Sequence, residues 1–307
     1  MENRPLVSIW MITYNHEPFI AQALESVLMQ KTSFPFELII GEDCSSDSTA
    51  NIVREYAQKF PDIIKARCNS QNIGVTANVI QTLKECTGKY IAMLEGDDYW
   101  TDSNKLQKQV DFLERNSDFS FTCHRIYIND LIKGEKYADL KDNLFENHVE
   151  GLVLDINSYK SGLLRTLTIV FRSNILNIIP LASFKIFSDS ILSFYLLKSG
   201  KGYCFNSFWA IYNKNANSIY GGRPIIEQAF HSYSISHELY NYEKHAVVKY
   251  YFIKSTIELL MAQLQSKIIK VNNCKLVFLL VFNLQIKFLV KIYIKSILKL
   301  ITIRAKL

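Results

Sequence analysis

Three carboxylates fall within four residues at Glu95-Gly96-Asp97-Asp98, directly after the apolar run Tyr90 to Leu94 (YIAML). Like charges this close repel one another unless a cation neutralises them, and an all-oxygen donor set suits a hard divalent ion, Mn²⁺ or Mg²⁺. An ion that keeps open coordination positions at the end of a strand can bridge two phosphate oxygens and offset charge on a leaving diphosphate. In outline this is a nucleotide-sugar site. A second acidic pair, Glu42-Asp43, follows the apolar segment Phe36 to Ile40 (FELII). A single carboxylate, Asp189 in FSDSILSFYLLKSG, opens a helical pattern, where its ordinary role is to cap the helix. The adjoining Ser188 is the alternative cap. Ser45-Ser46-Asp47-Ser48 reads as a turn in which one residue caps a helix starting near Thr49.

The elements that must hold these groups are those of alternating strands and helices. Leu6 to Tyr14 (LVSIWMITY) is almost continuously apolar, as a strand buried on both faces requires, and Ile20, Ala23, Leu24, Val27 and Leu28 then recur at helical spacing. Phe36 to Ile40 predicts a strand, and Ile52, Val53, Tyr56, Ala57 and Phe60 mark a helix that Pro61 stops. A strand is predicted at Ile63 to Ala66, a helix from Val75 to Cys86, a strand from Tyr90 to Leu94 and a helix from Leu106 to Arg115. Alternation of this kind predicts an α/β fold with a mostly parallel central sheet flanked by helices. The acids then lie at carboxyl ends of strands, where open α/β sheets bind ligands. Residues 130 to 165 read as an irregular insertion, Arg165 to Phe171 as a strand, Asp189 to Leu197 as a helix, and Tyr203 to Tyr212 as one or two short strands. From Ile225 onward the pattern is helical.

These segments together carry a resemblance. VSIWMITYN (Val7 to Asn15), ELIIGEDCSSDST (Glu37 to Thr49), NIGVTAN (Asn72 to Asn78) and GKYIAMLEGDDYW (Gly88 to Trp100) resemble, in order and spacing, the family 2 glycosyltransferases. The resemblance implies a GT-A nucleotide-diphospho-sugar transferase fold with a helical carboxyl-terminal extension. It also implies a nucleotide-sugar donor, with a UDP-sugar as the leading choice, a divalent cation, and inversion at the anomeric carbon. It places Thr13 and Tyr14 against the nucleoside, Asp43 on the base, Glu42 on a ribose hydroxyl, and Asn72 and Gly74 beneath the nucleotide. Glu95, Asp97 and Asp98 match the DxD-like cluster, with Asp97 and Glu95 as metal ligands and Asp98 on the donor sugar. Asp189 matches the base. Glu stands at the first acidic position of both motifs, as in a bacterial subgroup with GED and EGDD variants. Trp100 and His124 are open to acceptor-binding or packing roles, and Lys214 to a diphosphate contact or plain solvation.

Composition bounds what else is possible. Of 307 residues, 49% are hydrophobic, with 11 Gly and 6 Pro, which excludes disordered and collagen-like chains. No GxGxxG follows the first strand, against a dinucleotide dehydrogenase, and no Gly-rich basic loop stands there to favour a nucleotidyltransferase. A non-catalytic glycan-binding scaffold remains the alternative from outside enzymes. Six scattered cysteines without a CxxC pair, and no apolar leader at the first residues, predict a cytoplasmic protein.

Charge divides the chain. Up to position 240 there are 23 basic and 27 acidic residues, and beyond it 12 basic and 2 acidic. Residues 1–220 are therefore expected to form the transferase domain and 221–307 a helical basic region. Lys287, Lys291, Lys295 and Lys299 recur every fourth residue beside Phe288, Leu289, Val290, Tyr293 and Ile294, the pattern of a helix lying in an anionic membrane interface. The uncharged run Leu276 to Ile286 is shorter than the about 17 to 25 residues that span a bilayer. The expected partners are a nucleotide-sugar donor, a glycan or lipid-linked acceptor and the inner face of the cell membrane, with no nucleic acid. Docking of this helix on the protein body is the alternative.

Overall fold

The computed structural model describes residues 4–139, 142–161, 164–215 and 223–265. They fall into two compact units, one up to Asn215 and one from Arg223.

The first unit opens with three βα repeats. Strand β1 (Val7–Thr13) leads to α1 (Ile20–Leu28), β2 (Phe36–Glu42) to α2 (Thr49–Lys59), and β3 (Ile64–Cys68) to α3 (Val75–Glu85). The first two strands are almost wholly buried because their residues are apolar on both faces, and α1 buries Ile20, Ala23, Leu24 and Val27 against them. Next come β4 (Tyr90–Met93), the two-residue β5 (Tyr99–Trp100), α4 (Lys105–Arg115) and the long β6 (Phe119–Asp130). The segment read as irregular contains β7 (Glu135–Ala138), a single turn α5 (Asp142–Phe145) and β8 (Gly151–Leu154). Strand β9 (Val170–Arg172), helix α6 (Asp189–Ser199) and β10 (Lys201–Lys214) complete the unit.

The strands lie in the order β3-β2-β1-β4-β9-β6-β10-β5, with β7 on β6 and β8 on β10. Pairing is parallel over β3-β2-β1-β4; β9 then runs antiparallel to both β4 and β6, and β6 and β10 are parallel to each other. Because β1 lies between β2 and β4, the carboxyl ends of all three meet. Backbone hydrogen bonds continue past the paired residues there, from the Asp43 N–H to the Thr13 carbonyl (3.1 Å) and from the Gly96 N–H to the Ile12 carbonyl (3.0 Å). A Cβ at Gly96 would strike the Thr13 side chain, so only glycine permits this close approach.

Two expected elements differ. Residues 166–168 form a tight 3-10 turn rather than the start of a strand, because Thr168 satisfies the Arg165 carbonyl twice, from its N–H (2.9 Å) and its hydroxyl (2.7 Å). Residues 201–214 form one continuous strand whose register against β6 shifts between Phe205 and Ala210, and that irregularity is what splits its alternation in the sequence.

The second unit is a pair of helices, α7 (Ile225–Tyr242) and α8 (Ala246–Gln265), joined by stacking of Tyr240 on Phe252 and a bond between the Ser236 and Ser255 hydroxyls (2.5 Å). No helix among the described residues is long and apolar enough to cross a membrane. The lysine-striped tail segment lies outside the described residues.

Lys105 is wholly buried on α4, its ammonium 4.0 Å from the centroid of the Trp100 ring and without a hydrogen-bond partner. Burial pushes its amine well below the ordinary value of 10.5, so the folded state holds fewer protons here than the unfolded chain. Stability is therefore lost as pH falls. Lys105→Met should raise the unfolding free energy by about 1 to 3 kcal/mol in urea titrations, and this gain should grow as pH is lowered from 10.5 toward neutrality.

Candidate active site

The residues singled out in the sequence gather at the carboxyl ends of β1, β2 and β4 and in the loop after β3. Asp43 is buried and saturated. Its Oδ1 accepts from the Asn69 amide (2.9 Å) and the Ile73 N–H (2.9 Å), and its Oδ2 from the Gly74 N–H (3.0 Å). The Asn72 amide donates to the Asp43 carbonyl (3.1 Å). Gly74, at φ +83°, begins α3 in a backbone conformation that other residues adopt only with strain. Asp43 thus holds the 69–74 loop in place.

Glu42 is also buried; its Oε1 accepts from the Ser45 N–H (2.8 Å), while Oε2 has no partner. A buried carboxylate oxygen left unpaired is costly unless something fills its place. Thr13 is buried with its hydroxyl 3.2 Å from His16 Nδ1, and Tyr14 is exposed. The turn after Glu42 is locked to the turn after β1: Asn15 receives the Ser46 N–H (2.8 Å) and donates its own to Ser45 Oγ (2.9 Å), while the Glu17 N–H donates to Asp47 Oδ2 (3.1 Å) and the Ser48 N–H to Glu17 Oε2 (3.1 Å). The capping task in this turn falls to Asp47, whose carboxylate accepts the Thr49 N–H (3.0 Å).

The acidic cluster is held from several directions. Asp98 is buried, accepting the Asn213 N–H (2.8 Å) from β10, and the Asn213 amide donates to the Asp97 carbonyl (2.7 Å). The Asp97 carboxylate lies 3.8 Å from His16 Nε2. Glu95 takes a hydrogen bond from the Thr166 hydroxyl. Withdrawal from water, then the charges of Asp97 and Asp189, push the Glu95 carboxyl up to about 8. Burial and the neighbouring Asp97 and Glu95 raise Asp98 well above the usual range. Asp189, far away in sequence, is therefore within electrostatic reach of the cluster.

Asp189 is the first residue of α6 and is exposed; its Oδ1 accepts the Ser190 N–H (2.7 Å). Ser188 stands at the N-cap position, but its side chain makes no cap hydrogen bond and its hydroxyl is buried without a partner among the described residues; the first-turn N–H of Ser190 is taken by Asp189 instead. The preceding loop is tied to α3 by the Phe187 N–H donating to Thr76 Oγ1 (3.2 Å).

Other candidates fall away. The Trp100 indole donates to the Leu167 carbonyl (2.8 Å) from a buried position, and buried His124, bonded through Nδ1 to the Arg125 carbonyl (2.8 Å), is driven well below its ordinary value by burial; both are packing residues. Lys214 pairs with buried Asp130 (2.8 Å). Sequence reasoning missed His16, Thr166 and Asn213. His16 has no second histidine at ligand spacing to mark it, and the other two become visible only when strands far apart in the chain are paired.

The cluster fits an open cation site. Its donors are carboxylate oxygens that repel one another, although among the described residues no three His, Cys, Asp or Glu side chains are grouped so as to hold an ion. Glu95 and Asp97 could therefore hold a cation whose remaining ligands come from a bound molecule.

Residues 8–169 match the family described as Glycosyl transferase family 2. The chain is 36% identical over 137 residues to UDP-Glc:alpha-D-GlcNAc-diphosphoundecaprenol beta-1,3-glucosyltransferase WfgD of Escherichia coli, covering 44% of this chain and 52% of that protein. The S. aureus TarS 1-349 structure in complex with UDP-GlcNAc is similar with a TM-score of 0.60 at 16% identity, over 88% of this chain and 78% of that one. Mannosyltransferase PcManGT from Pyrobaculum calidifontis, in complex with GDP-Man and Mn²⁺, gives a TM-score of 0.60 at 14% identity, over 97% of this chain and 81% of that one. These solved structures share the GT-A fold with this chain. The chain spans about half the length of the curated relatives it matches.

Without a cation, the folded protein keeps a proton on Glu95 that the unfolded chain releases above 4.5. The folded state binds more protons in that window, so stability should fall as pH rises from 4.5 toward 8. Differential scanning calorimetry should show the melting temperature declining over this range, Mn²⁺ restoring it at the upper end, and Glu95→Gln flattening the decline.

Proposed function

Because the chain belongs to glycosyl transferase family 2, we propose that it is an inverting, metal-dependent glycosyltransferase moving a sugar from a nucleotide-diphosphate donor to a glycan or lipid-linked acceptor in surface polysaccharide biosynthesis. The observation that carries this reading is that Glu95, Asp97 and Asp98 converge at the end of β4, with Asp189 brought within electrostatic reach from the start of α6. A UDP-sugar is the proposed donor, in keeping with the UDP-sugar in the name of the E. coli relative and the UDP-GlcNAc of the S. aureus complex.

In this reading the nucleoside lies over the ends of β1 and β2. Tyr14 and Thr13 pack against it, Glu42 offers its unpaired oxygen to a ribose hydroxyl, Asp43 meets the base, and Asn72 and Gly74, held by Asp43, lie in the loop beneath. Glu95 and Asp97 would hold Mn²⁺ or Mg²⁺, which when bound supplies positive charge to offset that of the leaving diphosphate. Asp98 contacts the donor sugar. The acceptor hydroxyl gives its proton to Asp189 as its oxygen bonds to the anomeric carbon. On the opposite face the bond to the phosphate oxygen breaks, its electron pair leaves with the nucleoside diphosphate, and configuration inverts. The Ser190 N–H at Asp189 Oδ1 helps to aim the base. The basic tail, acting at the inner face of the membrane, would bring this site to a lipid-linked acceptor.

Calorimetry with a panel of nucleoside diphosphates should find one that binds selectively, and more tightly with Mg²⁺ than with chelator. Asp97→Ala should remove that cation dependence. Asp189→Asn should leave nucleotide affinity unchanged and lower transfer by about 10²- to 10⁴-fold. Near wild-type transfer by Asp189→Asn would end its assignment as base. Truncation after Asn272 should release the protein from the membrane fraction, and retention there would overturn the anchoring role.

A further inference from the structure

Arg165 is a basic residue beside the acidic cluster that the reaction described above leaves unused. It precedes the 3-10 turn at 166–168, and that turn is fastened on every side. Its Leu167 carbonyl receives the Trp100 indole (2.8 Å), its Thr168 carbonyl the Gln109 amide (2.9 Å), and the Ile169 carbonyl the Met93 N–H (3.1 Å). Leu167 and Thr168 are buried, whereas Arg165 is exposed. The backbone that carries Arg165 is thus rigid while its side chain faces solvent.

Strand register decides where that side chain is presented. Strand β9 runs antiparallel to β4 with Ala92 opposite Val170, and the Met93–Ile169 bond continues the alignment. The chain leading into β9 is therefore drawn back along the end of β4 toward Glu95 to Asp98. The Thr166 hydroxyl bonded to Glu95 fixes this placement, and the Arg165 charge is felt at Asp98. Yet among the described residues the guanidinium forms no ion pair or hydrogen bond. The adjacent acids are engaged by Asn213, Thr166 and His16 instead. An arginine within electrostatic reach of Asp98 that makes no ion pair keeps its five donors for something else, and their forked geometry matches an oxyanion.

The sheet order separates two halves. Thr13, Glu42, Asp43, Asn72 and Gly74 belong to β1, β2 and the loop after β3, on one side of β4, whereas Arg165 reaches the cluster from β9, on the other. We infer that Arg165 binds an oxyanion of the acceptor rather than the diphosphate of the donor. The inference rests on the transferase reading. Two sources share this chemistry: a phosphoryl group linking an acceptor to its lipid, and the carboxylate of an acidic acceptor sugar.

The test is calorimetry on the full chain with methyl phosphate and, separately, glucuronate, each with and without saturating nucleoside diphosphate. One probe should bind the wild type in the presence of nucleotide, and which one does so identifies the source. Arg165→Met should weaken that probe by at least about tenfold, with Arg165→Lys intermediate. Nucleotide affinity should change by less than about twofold, and an unchanged melting temperature excludes a folding defect. Equal binding of the probes by wild type and Arg165→Met, or no probe binding at all, overturns the inference. So does a parallel loss of nucleotide affinity, which would put Arg165 on the donor. If the wild type binds no nucleoside diphosphate, the transferase reading fails; the titrations without nucleotide still decide whether Arg165 holds an oxyanion.

Discussion

Mutual repulsion among Glu95, Asp97 and Asp98 is the constraint around which the first unit is arranged. Burial first, and then the charges of Asp97 and Asp189, drive Glu95 up to about 8, and burial with Asp97 and Glu95 raises Asp98 well above the usual range. The surrounding polypeptide answers with hydrogen bonds more than with ion pairs. Asn213 supplies two donors from β10 and Thr166 one from the turn before β9, while His16 approaches Asp97 from the turn after β1. Three remote segments are thereby recruited to four residues.

A different economy governs the nucleotide side. Asp43 spends its carboxylate on the 69–74 loop, accepting three donors from it, so its contribution is to shape the platform as much as to touch a ligand. Glu42, one methylene longer than aspartate, satisfies one oxygen on Ser45 and leaves the other buried and unpaired. Strain and unsatisfied polarity concentrate where a ligand would relieve them. Locking of the Asn15 turn to the Ser45-Ser46 turn keeps this half rigid, a geometry suited to binding without reorganisation.

Much of this was legible in the chain. Continuous apolarity marked β1 and β2, period-3.6 spacing marked α1, α2 and α3, and acids placed directly after apolar runs marked the carboxyl ends of β2 and β4. These are local properties: each depends on residues within about one turn or one strand length of each other. The 3-10 turn at 166–168 was not legible, since RTLTIVF alternates like a strand and only the double bond from Thr168 to the Arg165 carbonyl reveals the turn.

The sequence by itself determined the fold class, the βα order and which carboxylates could do chemistry, because hydrophobic periodicity and clustered charge are written in consecutive residues. Tertiary structure decided how those carboxylates are used. It set Asp189 within electrostatic reach of Glu95, turned Trp100 and His124 inward, paired Lys214 with Asp130, and left Arg165 exposed. Each of these outcomes depends on strands such as β4, β9 and β10, widely separated in the chain, lying beside one another, and on which face of each is withdrawn from water. Proton affinity, burial and unspent hydrogen-bonding capacity are properties of that assembled surrounding, and no residue carries them in its identity alone.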